Sequence, residues 1–366
     1  MTDVASASAP TTPSPAQREL EPLLDRHRRE LTGYCYRMLG SPHEAEDAVQ
    51  ETMLRAWRAF DRFEGRAAVR SWLFRIATNV CIEMLRGRKR RALPVDVADP
   101  AEGGGRSGAS LPESTWVQPA PDGRTLPTTD DPAEQAVARE SVRLAFVAAL
   151  QHLSPRQRAV LILRDVLRWR AREVADLLGT TVVSVNSALQ RGRAALAAVS
   201  ADHERPSGPA GPAGAAMALD DPTDPDTQAF LERYVDAFQR FDVERLVELL
   251  HEDVTFDMPP IDLWFRGVDA FARWAAGASG FCRNARFVPV GTANGSPAYG
   301  FYHRNPQGDG GYHLAGVHLV EVAGGRVVAA HAYLDPSLGP LFDLPADLPA
   351  DLPADLPADL PTTLER

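Results

Sequence analysis

A chain of 366 residues exceeds what one hydrophobic core usually organises, so its size calls for two or three domains. Its 44% hydrophobic and 24% charged residues fit a soluble globular protein, and no apolar run approaches the roughly 20 residues of a bilayer span, so no membrane-spanning helix is predicted. The net charge of -10 argues against a nucleic-acid partner until its distribution along the chain is read.

Residues 1–17, MTDVASASAPTTPSPAQ, have neither a basic start nor an apolar stretch, and read as a disordered leader rather than a signal peptide; a cytoplasmic location follows. Residues 18–91 are helix-rich. Leu31, Tyr34, Cys35, Met38 and Leu39 recur at three- and four-residue steps, as do Ala45, Val49, Thr52, Met53 and Trp57. Ser41-Pro42 followed by Glu44 predicts a helix start with Ser41 as its cap. In the helix that follows, Glu46, Asp47, Gln50, Glu51 and Arg55 share a polar flank opposite an apolar stripe of Val49, Met53, Leu54 and Trp57. From Arg62 to Arg91 there are nine basic residues against two acidic ones, and Phe63, Trp72 and Phe74 alternate with arginines. Arginines neutralise phosphates while aromatic rings receive an unstacked base, although Trp72 and Phe74 also fit a core.

Residues 92–132 carry three consecutive glycines and seven prolines, a composition that predicts an extended, flexible linker. Helical periodicity returns over 133–199, where eight arginines face three acidic residues between Gln151 and Val199. Ala175, Gly179 and Val185 stand at the fifth, ninth and fifteenth positions of a unit starting at Ala171. That spacing suits two helices crossing at a sharp angle: a small residue at the crossing, a glycine for positive φ, an apolar residue facing inward. Thr180, Thr181, Ser184, Asn186, Ser187, Gln190 and Arg191 then point outward, a set suited to base edges and phosphates in a major groove, with Arg191 and Arg193 towards the DNA backbone. Residues 200–225 read as a second flexible linker.

In 226–342, helices at 228–250 and 268–276 precede strands at 286–290, 298–303, 312–322 and 327–334, which predicts an α+β domain with a curved antiparallel sheet. A pocket in it would draw on Asp257, Trp264, His313, His318, Tyr333 and Asp335. No motif specifies a reaction, so the domain reads as regulatory rather than catalytic. Residues 343–366 repeat Asp-Leu-Pro-Ala, and a proline every fourth residue predicts an extended, disordered tail. Cys35, Cys81 and Cys282 lie too far apart to form a CxxC-type pair and read as buried thiols; neither a metal nor a cofactor is implied.

LTGYCYRMLGSPHEAEDAVQETMLRAW, FEGRAAVRSWLFRIATNVCIEMLRGRKRR and LSPRQRAVLILRDVLRWRAREVADLLGTTVVSVNSALQRGRAAL, in this order, resemble the extracytoplasmic-function (ECF) branch of sigma-70 factors. The resemblance implies two all-α domains, sigma region 2 and the helix-turn-helix of sigma region 4. It makes Asp47, Gln50, Glu51 and Arg55 contacts to the β′ clamp helices of core RNA polymerase, and it brings region 4 to the β flap and the promoter minus-35 element. It assigns Arg66, Arg70, Trp72, Arg75, Asn79, Arg86, Arg88, Lys89 and Arg90 to the minus-10 element. The recognition helix departs from many relatives in carrying Asn186 and Ala188 where they have Lys and Arg. FLERYVDAFQRFDVERLVELLHEDVTFDMPP resembles SnoaL-like members of the NTF2-like superfamily, cone-shaped α+β domains, and with the run TWVQPAPD is similar to the SigG-like group of these factors. Such a protein would direct polymerase to promoters under the influence of its C-terminal domain. The resemblance leaves room for a small-molecule ligand of that domain and for an anti-sigma factor. Two other readings stay open at this stage: a ligand-sensing helix-turn-helix regulator that binds DNA alone, and an isomerase or cyclase carried on a DNA-binding module.

Overall fold

The computed structural model describes residues 15–60, 63, 68–102, 108–129, 131–203, 218–277, 283, 285–304 and 310–350. Three helices open the chain, α1 (Pro15–Leu39), α2 (Pro42–Ala59) and α3 (Val69–Met84). Ser41 caps α2 by accepting the Glu44 amide, and Pro42 occupies the first helical position, where its missing N–H costs nothing. The α1 stripe Leu31, Tyr34, Cys35, Met38 and Leu39 is fully buried against Ala45 and Val49 of α2 and Leu73, Phe74 and Cys81 of α3. Cys282 lies outside the described residues.

A second helical group follows the short α4 (Asp122–Thr125): α5 (Pro132–Glu140), α6 (Leu144–Gln151), α7 (Pro155–Leu161), which continues into a π turn at Ile162–Val166, α8 (Ala171–Leu178) and α9 (Val182–His203). The two groups share one core. Buried Trp169, before α8, packs on Phe74 of α3 with ring centroids 5.1 Å apart.

The C-terminal part comprises α10 (Pro225–Arg240), α11 (Val243–Leu249), β1 (Leu250–Asp257), β2 (Trp264–Arg266), α12 (Val268–Gly277), β3 (Arg286–Ala293), β4 (Ser296–Arg304), β5 (Tyr312–Ala323), β6 (Arg326–Tyr333) and β7 (Asp347–Leu348). The single helix expected over 228–250 is two, because Phe241 takes a left-handed conformation and Asp242 caps a new helix through the Arg245 amide. The sheet runs β2-β1-β6-β5-β4-β3, with β7 paired to β5. One pairing, β1 with β6, is parallel, contrary to an all-antiparallel sheet. Alternation gives the two sheet faces different partners. Phe256, Phe287, Phe301, Val320 and Ala330 pack on α10 and α12 in the domain's own core. Val288, Ala298, Tyr302, Val317, Leu319 and Tyr333 instead join the core cluster that holds α1–α3 and α6–α9.

Described residues of 92–129 correct the expectation of a flexible linker. Trp116, Val117 and Ala120 are buried, and Ala92 bridges Trp116, Ser110 bridges Ile261 and Pro121 bridges Ala293. The Gln118 amide donates to the Gly40 carbonyl (2.9 Å), and the Ala101 amide to that of Trp264 (2.8 Å). Such a proline-rich segment lacks a core of its own, but lying between two folded bodies satisfies its backbone and buries its few large side chains.

Parts of the other expected disordered segments are also ordered. Residues 15–17 belong to α1, and positions 1–14 lie outside the described residues. Between 200 and 225, α9 continues to His203, 204–217 lie outside, and the Asp220 carboxylate accepts the amides of Gly324 (3.0 Å) and Gly325 (2.9 Å). In the terminal repeat, Leu344 and Leu348 are buried and the Leu314 amide donates to the Ala346 carbonyl, while 351–366 lie outside. Proline forbids helix and central strand but permits the two-residue pairing that β7 makes. Among the described residues, no helix is long and apolar enough to cross a membrane.

Candidate nucleic-acid interface

The helix pair α8–α9 turns at Gly179, whose φ of 60° is the left-handed conformation that glycine adopts without a Cβ penalty. Ala175 and Val185 are buried as the spacing demands, with Leu189 beside them. Thr181, just before α9, and Ser184, Asn186, Gln190, Arg191 and Arg193 on it are exposed, and Ser187 is half-buried. Thr181 Oγ1 accepts the Ser184 amide (3.2 Å) and so caps the recognition helix. A groove of about 330 Å³ runs between α9 and the start of α7, lined by Arg156, Gln157, Ser184, Ala188 and Arg191. Arg193 differs from Arg191: its guanidinium makes two bonds to Asp165 (2.6 and 2.8 Å). Those bonds raise its pKa above the usual arginine value. Val182 and Val183 open the same helix and are 40% and 74% exposed.

On α2, Asp47 and Gln50 are exposed, and Glu51 and Arg55 are half-buried. Arg55 bridges Glu51 (2.6 Å) and Glu83 (2.9 Å), which ties this face to α3. Leu54 belongs here too. It lies seven residues after Asp47 and is 50% exposed, so it leaves the apolar stripe to which its hydrophobicity assigned it.

The residues expected at the minus-10 element divide into two groups. Asn79, Arg86 and Lys89 are exposed on or just beyond α3, and half-buried Trp72 packs at a tilt against Phe63, ring centroids 4.8 Å apart. The others are engaged within the chain. Arg70 grips Glu30 through Nε (2.9 and 3.1 Å) and lies 4.6 Å from the Trp169 ring; Arg88 pairs with Glu44; Arg90 contacts His152. Arg75 donates to the Asp176 carbonyl (2.6 Å) on α8, so α3 touches the helix-turn-helix directly. Arg66 lies outside the described residues.

Two buried guanidiniums clamp the helical groups together. Arg37 of α1 donates to the Ser141 carbonyl (3.0 Å) and Oγ (2.8 Å), and Arg158 of α7 donates to the carbonyls of Met38, Gln151 and Leu153. Burial lowers both to about 10, still charged at neutral pH. The third body joins through Asn294 in the Asn-Gly turn between β3 and β4. Its Oδ1 accepts the Ala120 amide (2.8 Å), and its Nδ2 donates to Tyr36 Oη (2.7 Å) and to the Val142 carbonyl. The Asn-Gly pair is a legible hairpin signal, but nothing in the sequence announces its partners.

The six pocket candidates do not converge. His318 is inside the domain core, hydrogen-bonded to Tyr234 Oη (3.0 Å) and pushed down to about 3 by burial and by the His331 charge. Asp257, Trp264 and Tyr333 belong to the opposite sheet face, where Trp264 Nε1 donates to the Ala98 carbonyl (2.8 Å). His313 is exposed beside Asp347, and Asp335 caps the turn at Ser337 (3.0 Å). The space beside Tyr333 and Asp335 is about 10 Å³, lined also by Trp116 and Gln118 of the linker, enough for one water at most. His331, which hydropathy did not single out, is the centre of a buried charged cluster with Asp257 (2.7 Å) and Glu321 (3.8 Å). Burial would lower its pKa, but the two carboxylates outweigh burial and raise it to about 10.

Comparison with known proteins identifies the three parts of the chain. The family model for sigma-70 region 2 matches residues 23–91, that for sigma-70 region 4 matches 143–196, and that for the SnoaL-like domain matches 231–330. The chain is 45% identical over 328 residues to the ECF RNA polymerase sigma factor SigG of Mycobacterium tuberculosis (strain ATCC 25618 / H37Rv), covering 87% of this chain and 82% of that protein. It is 31% identical over 174 residues to the ECF RNA polymerase sigma factor SigW of Bacillus subtilis (strain 168), covering 48% and 84%. In fold it resembles the crystal structure of the Mycobacterium tuberculosis extracytoplasmic function sigma factor SigJ, with a TM-score of 0.51 at 22% identity over 87% of this chain and 98% of that one. Two helical sigma modules and an α+β SnoaL-like domain thus stand in one chain, and the chain belongs to the extracytoplasmic-function RNA polymerase sigma factors.

Proposed function

We propose that this sigma factor binds core RNA polymerase through Asp47, Gln50, Glu51, Leu54 and Arg55 of α2, directed at the β′ clamp helices, and reads promoter DNA through two separate surfaces. Trp72, Arg75, Asn79 and the basic run Arg86–Arg90 serve the minus-10 element, with Arg66 and Arg70 beside them. The outward face of α9 serves the minus-35 element, and region 4 meets the β flap. In this reading residues 18–91 and 133–199 are the transcription modules, 226–342 is a regulatory domain, and the protein acts in the cytoplasm.

Regulation is carried by one observation: Asn294 of the C-terminal domain is hydrogen-bonded at once to α1, to the linker and to Val142 in the turn between α5 and α6. Elements named for positions 10 and 35 are separated by roughly 80 Å of duplex at 3.4 Å per base pair. Arg75 of α3, however, touches Asp176 of α8. The two DNA-reading surfaces must therefore separate before both elements are engaged, and the C-terminal domain opposes that separation. A noncatalytic role for the domain is supported by an interior filled with Phe238, Phe256, Phe287 and Phe301, whose ring centroids each lie within 6.5 Å of the His318 ring, rather than by an open reaction chamber.

The test is reconstitution with core polymerase on genomic fragments, with start sites mapped for wild type and for Asn294→Ala. Asn294→Ala should raise output from the mapped promoter at unchanged far-ultraviolet circular dichroism. Equal output from the two proteins would remove the regulatory claim. A gel shift with and without core enzyme distinguishes this reading from a stand-alone regulator, which would bind the promoter tightly by itself.

A further inference from the structure

We infer that Val183 reads a thymine methyl group in the upstream promoter element, with Val182 at the edge of the same contact; the inference rests on the proposed role of α9 in the major groove. Val183 is the second residue of the recognition helix and is 74% exposed, the most exposed of the large apolar residues described. Helical spacing puts Asn186, Ser187 and Gln190 at three, four and seven residues beyond it, on one stripe opposite buried Val185, Leu189 and Gly192. Val183 therefore sits in the middle of the outward face, not on its flank. The first residues of a recognition helix reach deepest into the groove, where thymine alone presents a methyl group. A β-branched side chain is stiff at χ1, so it meets that methyl with little loss of rotamer freedom. In the free protein the same residue leaves apolar surface in water at a helical position that valine only weakly favours.

The polar neighbours fit this division of work. Thr181 and Ser184 are occupied with each other at 3.0 Å and with capping the helix, which leaves Asn186 and Gln190 for base edges and Arg191 for phosphate. The chemistry so assigned is a methyl contact at one or two thymines beside hydrogen-bonded positions.

The experiment uses full-length protein in holoenzyme and the promoter found by start-site mapping, with each thymine of the upstream element replaced in turn by deoxyuridine, which removes only the methyl group. Wild type should lose roughly three- to fivefold in affinity at one or two positions, the effect of burying about one methyl. Val183→Ala should bind thymine and deoxyuridine at those positions alike, while Val95→Ala, an exposed valine in the linker, should keep the discrimination. If wild type tolerates deoxyuridine everywhere while Asn186→Ala and Arg191→Ala still weaken binding, the helix reads the groove without Val183 and the inference is overturned. If scrambling the upstream element changes nothing for wild type, the fault lies with the role assigned to α9.

Discussion

Leu54 shows how much a single position can redirect. An exposed leucine flanked by Asp47, Gln50, Glu51 and Arg55 is the apolar centre of a polar patch, the arrangement in which one side chain dominates an interface while charged neighbours exclude water. Leu54→Ala should weaken core polymerase binding about tenfold, a loss on the order of 1–2 kcal/mol. Its thermal midpoint should stay within a degree or two, because little of the side chain is buried. Fluorescence titration with labelled core enzyme measures the first, a melting curve the second. His331 is the contrasting case, a buried charge held by two carboxylates. Its pKa of about 10 lies above the ordinary 6.5, so its contribution to stability is fully present below about 6.5 and is lost as pH rises towards 10. Glu321 acts on the other side: burial would raise its pKa, but the bond to His331 outweighs this and lowers it, so its share is lost only in acid. Melting temperature should therefore fall across the alkaline window in wild type, and His331→Gln should flatten that fall while lowering the midpoint at pH 7, since two buried carboxylates lose their cation. An unchanged alkaline slope in the variant would contradict this.

The recognition helix separates residues that look equivalent in sequence. Arg191 and Arg193 stand two apart on α9, yet Arg193 is held by Asp165 and Arg191 lines the groove towards α7. Arg191→Ala should weaken holoenzyme binding to all promoters and reduce the slope of log affinity against log salt by about one. Arg193→Ala should change the slope by much less, because Asp165 already neutralises that charge. A salt titration of the two variants on one promoter is decisive. The linker teaches a related lesson at the scale of an element. Its buried Trp116 and Val117 come from the run TWVQPAPD, and the guanidinium of Arg91, at the end of the first helical segment, donates to the Trp116 carbonyl (2.7 Å), so that segment anchors the middle of the strip. Proline-rich composition says only that such a strip cannot fold unaided; whether it is ordered depends on what lies on either side.

At the scale of the molecule, three bodies share a single apolar cluster and are cross-braced by Arg37, Arg158 and Asn294. Arg158→Met replaces a buried cation by an apolar chain of similar length and leaves the carbonyls of Met38, Gln151 and Leu153 without that donor. The expected cost is about 2–3 kcal/mol, and the linker should become easier to cleave by protease, since the helical groups that cover it separate more often. Denaturant unfolding and a proteolysis time course test both parts. A stable variant with an untouched linker would show that Arg158 does not brace the modules. Under the proposed function the same brace gives a physical sense to regulation: whatever loosens Asn294 or the buried arginines would lower the free energy needed to draw the two proposed DNA-reading surfaces apart.

Local patterns in the chain were enough for the helix stripes of α1 and α2, the Ser41 cap, the Ala175-Gly179-Val185 turn and the alternation of β3 to β6, because each depends on residues within one or two turns of one another. They also held the family resemblance, since the sigma motifs are contiguous. Contacts across more than a hundred positions had no such local trace. The break at Phe241 needs a left-handed residue that is not glycine, and the parallel pairing of β1 with β6 needs both ends of the domain at once. The ordering of the linker, the placement of Leu54 in solvent, the pairing of Arg193 and the dispersal of Asp257, His313, His318 and Asp335 over different surroundings all follow from which faces meet. Periodicity tells which side of an element is apolar; only the packed chain tells what that side touches, because burial and pairing are properties of the neighbours as much as of the residue.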